Sequence, residues 1–342
     1  MSHRKAVICS APGRCGVVGN PTDMYGGSVI SCSTVERATV RVEEADEMIF
    51  DVSERMFVVR NPDDLEPQED YFDIPKAIVD FLGLSDLKFK LTARSNLPFR
   101  AGLSGSTAMM VAMLGAILAF LGRLSHPFRV AEIARHIELN YMRVVCGYQD
   151  AYMCTFGGIN YMDFREKEFY RTFREEPYAT MESLIPYVDE LPFVLAHTGV
   201  QRISGWVHRP LRERWLEGDQ EVIRGYLRAG HLARIGKKAL LDKDWELLGE
   251  LMNENHEIQR DLGGSGPANE KLIEVALDCG ALGAKLAGGG SGGTIIALHL
   301  EPEEMIEALK KAGARRILLP MPVEGMTVQE TEDSEGGVTR ES

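Results

Sequence analysis

The chain has 342 residues, 44% hydrophobic and 26% charged, an ordinary globular composition that is too long for one simple core and points to two packed domains. With 51 acidic against 38 basic residues, the formal charge of −13 argues against binding nucleic acid or an anionic membrane by bulk charge. It leaves room for an anionic small molecule held in a local basic pocket. Cys9, Cys15, Cys32, Cys146, Cys154 and Cys279 form no C-x-x-C pair and no zinc spacing, so they read as reduced, buried thiols of a cytoplasmic protein. The opening MSHRKAVICSAPGR has no long apolar run and does not read as a signal peptide.

In chain order, KAVICSAP reads as a short buried strand and SVISCSTVERATVRVEEA alternates as a half-exposed one. EMIFDVS and MFVVRN pair as a hairpin, and DYFDIPKAIVDFLGL has helical spacing that stops near Gly83. LKFKLTARSNLP alternates again before the loop PFRAGLSGSTA and an apolar helix from about Ser106 to Leu121. No charge lies between Arg100 and Arg123, yet the strongly apolar part, Ala108 to Leu121, falls short of the roughly 20 residues of a membrane span and reads as a buried core helix. SHPFRVAEIARHIELNYM is a helix with Ser125 as N-cap and Pro127 in its first turn. DAYMCTFGGINYMDF gives a short helix, a Gly-Gly turn and a strand.

After a boundary near residues 175–192, LPFVLAHTG is a strand and residues 205–262 are helical with few breakers. A helix over Asn269–Cys279, the strand–turn–strand AKLAGGGSGGTIIALHL, the helix PEEMIEALKKAG and the strand RRILLPMPV complete an α+β pattern. The expected division is 1–185, 186–325 and a polar acidic tail, 326–342, too polar to order itself.

Three glycine-rich segments stand out. In PFRAGLSGSTA, Gly102, Gly105 and the small side chains leave N–H groups uncovered at a helix start, and Ser104, Ser106 and Thr107 add hydroxyls. A bound phosphate and a plain strand-to-helix turn both fit this segment alone, and it is not a Walker A loop, because no G-K-[ST] follows. In APGRCGVVGNPTDMYGG only Arg14 and Asp23 are charged, a pattern that suits a substrate cleft better than turn chemistry. LAGGGSGG fits a flexible hairpin or a backbone that a ligand approaches closely.

In this order and spacing, APGRCGVVGNPTD, PFRAGLSGSTA and LAGGGSGG resemble the three motifs of the GHMP kinase family of galactokinase, homoserine, mevalonate and phosphomevalonate kinases, over about residues 6–323. The middle motif departs from the commoner G-L-G-S-S: Ser104 and Gly105 are exchanged, a form that resembles the glucuronokinase branch, as do GNPTD, GYQDAYMCTFGGINYMDF and VHRPLRERWLEGD. Heptose-phosphate 1-kinases share the Gln-Asp and Phe-Gly-Gly features but more often carry a GGGTD-like first motif, which is absent here.

The resemblance implies a two-domain α+β fold, with a left-handed βαβ unit in the N-terminal domain and a ferredoxin-like C-terminal domain. It implies ATP and Mg2+ as cofactors, with the phosphates over Gly102, Leu103, Ser104, Gly105, Ser106 and Thr107 and a closing turn at Gly289 and Gly290. Asp150 matches the family's catalytic base, with a helix N-cap as its competing role. Arg14 matches its cationic partner, which would favour the carboxylate and polarise the attacking oxygen. Ser106 and Glu138 match the magnesium ligands, Glu138 lying on a half-buried helix face; an exposed helical Glu is the plain alternative.

Asp23 matches the acceptor of sugar hydroxyl hydrogen bonds, against an Asx turn, and Asn20 assists it. Arg100, Arg202 and His208 are the cations considered for a substrate carboxylate. The implied reaction is phosphorylation of a sugar's anomeric hydroxyl, D-glucuronate first, with D-glycero-D-manno-heptose 7-phosphate or a neutral sugar as alternatives. A non-catalytic sugar or ATP sensor is the other class; it fits less well a chain that retains Arg14, Ser106, Glu138 and Asp150. The expected partners are the sugar and ATP, without nucleic acid or membrane; oligomeric state is left open.

Overall fold

The computed structural model describes residues 4–98, 100–167, 174–200, 204–290 and 292–333. The order is β1 (Arg4–Val18), β2 (Ser28–Glu44), β3 (Met48–Val52), β4 (Arg55–Val59), α1 (Asp73–Leu82), β5 (Phe89–Ser95), α2 (Gly105–Phe120), α3 (Pro127–Asn140), α4 (Gln149–Phe156), β6 (Ile159–Asp163) and β7 (Thr180–Ser183). Then follow β8 (Phe193–His197), α5 (Ser204–Leu216), α6 (Gln220–Leu241), α7 (Trp245–Asp261), α8 (Pro267–Asp278), β9 (Gly283–Leu286), β10 (Thr294–Leu298), α9 (Glu303–Ala312), β11 (Arg316–Leu318) and β12 (Thr327–Asp333).

The first sheet runs β12-β1-β2-β5-β3-β4, with β6 and β7 continuing from β2; the second runs β11-β8-β10-β9. Strand β2 is long enough to serve two partners: Ala38–Glu44 pair with β5 and Ser28–Cys32 with β6. Helix α2 is apolar all round and buried from Thr107 to Ala119, which makes it the centre of the larger core rather than an amphipathic cover. Among the described residues no helix is long and apolar enough to cross a membrane.

The larger core includes Leu195, Leu248, Ala287 and Ile296 as well as Val40, Leu91 and Leu114, so one face of the second sheet packs into it. The other face packs on α8 and α9 through Ala196, Ile295, Leu272 and Leu309. This is a mixed α+β arrangement in which the ends of β1 and β9 approach one another, and the cleft forms there: Gly16 N–H donates to Ala287 O at 2.8 Å.

Three details differ from the sequence reading. The cap of α3 is His126, whose Nδ1 accepts from Arg129 N–H at 3.3 Å, rather than Ser125; Pro127 occupies the expected first turn. The helical run after residue 204 is cut twice by aspartates that start new helices: Asp219 accepts from Glu221 N–H at 2.9 Å, and Asp244 from Leu247 N–H at 3.1 Å. The tail expected to be unordered contains β12, antiparallel to β1 from Ser10↔Thr327 to Arg4↔Asp333. Backbone pairing with an open sheet edge orders a segment whose composition alone cannot. Residues 334–342 lie outside the described chain.

Candidate active site

The cleft begins with two glycine turns whose carbonyls face inward. Before α2, Gly102 (φ 75°) and Ser104 (φ 59°) take left-handed backbone. Ala101 O accepts from Thr294 Oγ1 at 2.8 Å, Gly102 O from Arg14 Nη1 at 2.9 Å, and Leu103 O from Arg14 N–H at 3.1 Å. After β9, Leu286 O accepts from Lys285 Nζ (2.6 Å), Ala287 O from Arg14 Nη1 (3.3 Å) and Gly288 O from Asn20 Nδ2 (3.3 Å) and Gln259 Nε2 (3.4 Å).

Protein donors thus satisfy the acceptor side of both turns. The start of α2 has no side-chain cap, and the buried Ser104 Oγ has no partner among the described residues, so this end of the cleft retains hydrogen-bonding capacity for an anion. Gly290, at φ 93°, backs onto Gly264 O, where a Cβ would sit 1.7 Å away. Ser291, in the same motif, lies outside the described residues.

Asp150 sits in the first turn of α4. Arg14 approaches a single oxygen, with Nε 2.7 Å and Nη2 2.5 Å from Oδ1. Oδ2 makes no hydrogen bond among the described residues. The Arg14 side chain is 4% exposed and that of Asp150 28%. Burial works against the Arg14 charge, but the charge and hydrogen bonds of Asp150 outweigh it and hold Arg14 above its ordinary value.

The capping role considered for Asp150 belongs to Asp23. Its Oδ2 accepts from Tyr148 N–H (2.7 Å) and Gln149 N–H (3.0 Å), and its Oδ1 from Gln149 Nε2 at 3.3 Å. Burial raises the Asp23 pKa; those amides oppose the rise and Asp150 adds to it. Both carboxylates line one cavity with Arg14, Pro21, Cys146, Gly147 and Gly289.

The other expected residues are placed as follows. Ser106 is exposed at the mouth of α2, while its buried neighbour Thr107 donates to Glu138 Oε1 at 2.9 Å. Glu138 is fully buried rather than half-buried, and burial pushes it up to about 8 against the Thr107 hydrogen bond. Asn20 does not line the cavity: its buried amide accepts from Lys285 Nζ at 2.7 Å and donates to Gly288 O. Arg100 is exposed outside the cavity wall. Arg202 and the side chain of His208 lie outside the described residues.

Sequence reasoning missed Gln149, Lys285 and Arg135. Arg135 sits one turn before Glu138 on α3, is 2% exposed and stacks 4.1 Å from the Tyr148 ring centre. Its Nε and Nη2 have no hydrogen-bond partner among the described residues, Glu132 and Glu176 being bonded to Lys167 at 2.6 and 3.3 Å. A count of buried charges against partners finds Arg135; no local motif does.

A carboxylate steered by a buried guanidinium, between two turns that keep their carbonyls to themselves, is the equipment of a phosphotransferase acting on a small alcohol. Comparison with known proteins makes the assignment specific. The profile described as GHMP kinases N terminal domain matches residues 73–158, and that of the GHMP kinases C terminal matches 237–315. Glucuronokinase 1 of Arabidopsis thaliana is 31% identical over 323 residues, covering 87% of this chain and 86% of its own. Probable glucuronokinase 2 of the same plant is 30% identical, with 91% and 89% covered. The crystal structure of a D-glycero-D-manno-heptose 1-phosphate kinase from Bacteriodes thetaiotaomicron superposes with a TM-score of 0.72 at 21% identity, over 96% of this chain and 100% of that one. The chain belongs to the GHMP kinase family and is a sugar kinase.

Proposed function

We propose that this kinase transfers the γ-phosphoryl group of ATP to the anomeric hydroxyl of a sugar acid, with D-glucuronate as acceptor. The observation that carries the reading is the Asp150 carboxylate, whose Oδ1 takes both Arg14 bonds while Oδ2, unbonded among the described residues, belongs to a residue lining the cavity shared with Asp23. Oδ2 accepts the proton of the attacking hydroxyl, and Arg14 fixes the carboxylate's orientation. Asp23 Oδ1, bonded among the described residues only by Gln149 Nε2, has capacity for a sugar hydroxyl. Triphosphate oxygens meet the amides at the start of α2 and the turn at Gly289 and Gly290.

The residues present fit magnesium. Glu138 is a buried carboxylate lifted by desolvation, accepting among the described residues only from the Thr107 hydroxyl next to Ser106, and a divalent cation would restore its charge. Ser106 and Glu138 would hold the ion, which when bound neutralises phosphate charge. For the acceptor's own charge, Arg135 is the best-supported cation: it is buried with two nitrogens unpartnered among the described residues, and its charge offsets part of the burial that raises Cys146, a residue of the cavity wall. The glucuronokinase relatives support a uronate over a neutral sugar.

The test is ADP release with Mg-ATP on glucuronate, galacturonate, galactose, glucose, fucose, a heptose 7-phosphate, mevalonate and homoserine, beside Asp150→Asn. Turnover on glucuronate, with kcat lowered about 10²- to 10⁴-fold in the variant, is expected. Turnover confined to the heptose phosphate replaces the acceptor, and an Asp150→Asn enzyme at wild-type rate removes the base assignment.

A further inference from the structure

Lys285 is completely buried, and its ammonium makes no ion pair among the described residues. Its acceptors are neutral: Asn20 Oδ1 at 2.7 Å and Leu286 O at 2.6 Å. An ammonium held in the interior without a counter-ion is costly and shifts toward its neutral form; here burial lowers Lys285 to about 7, with Arg14 adding to the drop and Cys15 opposing it. An apolar side chain of similar length would fill the space at less cost, so the amine's position calls for a reason beyond packing.

The hydrogen bonds supply one. Asn20 is gripped from three sides: its Oδ1 by Lys285, its Nδ2 by Gly288 O, and its carbonyl by Asn255 Nδ2 at 3.2 Å. Asn255 Oδ1 also accepts from Gly19 N–H at 2.8 Å. Asn20 leads by a cis peptide into Pro21, which lines the cavity two residues before Asp23. Gly288 leads into Gly289, which lines the same cavity from the nucleotide side. The path Lys285–Asn20–Gly288 therefore joins the turn that presents Asp23 to the turn that closes over the triphosphate.

We propose that Lys285 is a positioning residue: through Asn20 its ammonium sets the acceptor-side turn against the nucleotide-side glycine turn and so fixes the spacing across which the phosphoryl group passes. The inference rests on the kinase chemistry of the family and not on which sugar is accepted. It gives Asn20 a role in aligning the two turns instead of touching substrate.

The test is a double-mutant cycle with Lys285→Met and Asn20→Ala, read in two ways. Titration with Mg-ADP needs no acceptor; each single variant weakens nucleotide binding by about tenfold, and the double variant is no weaker than the worse single. In steady state, on whichever sugar the wild type phosphorylates, kcat falls by about 100-fold while the acceptor KM moves much less. Wild-type kcat and nucleotide affinity in Lys285→Met would overturn the proposal, as would losses that multiply in the double variant. Should Lys285→Met be insoluble, Asn20→Asp and Asn20→Ala decide it. Aspartate keeps the acceptor for Lys285 and loses the donor to Gly288; alanine loses both and is expected to be slower. Equal activity of Asn20→Ala and wild type refutes the clamp. A wild type inactive on glucuronate but active on another sugar changes the acceptor and leaves the clamp standing.

Discussion

Replacing Gly147 by Ala places a methyl carbon 1.8 Å from Asp23 Oδ2, 2.6 Å from its Cγ and 3.0 Å from its Oδ1. Ordinary contact needs about 3.5 Å, so the carboxylate must move by well over an ångström or the loop before α4 must yield. Oδ2 is the atom that accepts from Tyr148 and Gln149 N–H at 2.7 and 3.0 Å, and neither bond survives such a shift. Hydrogen bonds to a charged group contribute about 1.5–3 kcal/mol each, so losing two costs roughly 3 kcal/mol even with partial re-bonding. For a chain of this size that corresponds to a fall in Tm of about 4 °C. The assay is thermal unfolding of Gly147→Ala in the wild-type background and in Asp23→Ala, where the obstructing carboxylate is gone. The cost should shrink below about 1 kcal/mol in the second background. An equal cost in both backgrounds would refute the reasoning, because the strain would then lie in the backbone of the loop and not in the Asp23 cap.

Two further outcomes follow from buried charge. Burial lifts Glu138 from 4.5 to about 8, so the native state holds a proton that the unfolded chain releases; the stability it contributes is full below pH 4.5 and is lost as pH rises through about 8. Metal-free Glu138→Gln lacks that descent, so Tm(wild type) − Tm(Glu138→Gln) should fall between about pH 5 and about pH 9, and a constant difference counts against the protonated native state. Arg135→Met should raise KM for glucuronate more than tenfold, about 1.4 kcal/mol or more, and change KM for glucose much less; equal changes for both sugars would make Arg135 structural.

Most secondary structure was legible because it rests on local pattern. Helix α2 is named by an unbroken apolar run, and β2 by its alternation. The site was legible as a set of positions: Arg14, Asp23, Asp150 and Gly289 meet in one cavity. What each side chain does there was less so, because direction is set by partners remote in sequence. The pairing of Asp150 with Arg14 was expected from the motifs, but Asp23 and Asp150 are both short carboxylates near the start of α4, and only the fold shows that Asp23 is the one that caps it. Asn20 follows the same logic: its partners are 265 and 268 residues away, so a polar residue beside a predicted substrate loop turned out to hold that loop from behind. β12 is the extreme case, since an edge strand is defined by the neighbour that lacks a partner.

A chain with 13 more acidic than basic residues still has to hold a polyanion, and the distribution of its buried charge answers how. Arg14 and Lys285 are bonded to backbone carbonyls of the two glycine-rich segments, Arg14 to Gly102 O and Ala287 O and Lys285 to Leu286 O. Asp23 and Asp150 line one cavity with Arg14 and Gly289. Buried groups of both signs thus meet in one cleft, with Arg14 bonded to turn carbonyls through Nη1 and to Asp150 through Nε and Nη2. Arg14 joins the two: its planar fork reaches Gly102 O, Ala287 O and Asp150 Oδ1 at once, which a lysine's single nitrogen cannot do in the same geometry. Buried charge of both signs within one cavity lets a chain of net negative charge hold an anion beside a carboxylate, whatever the rest of the surface carries.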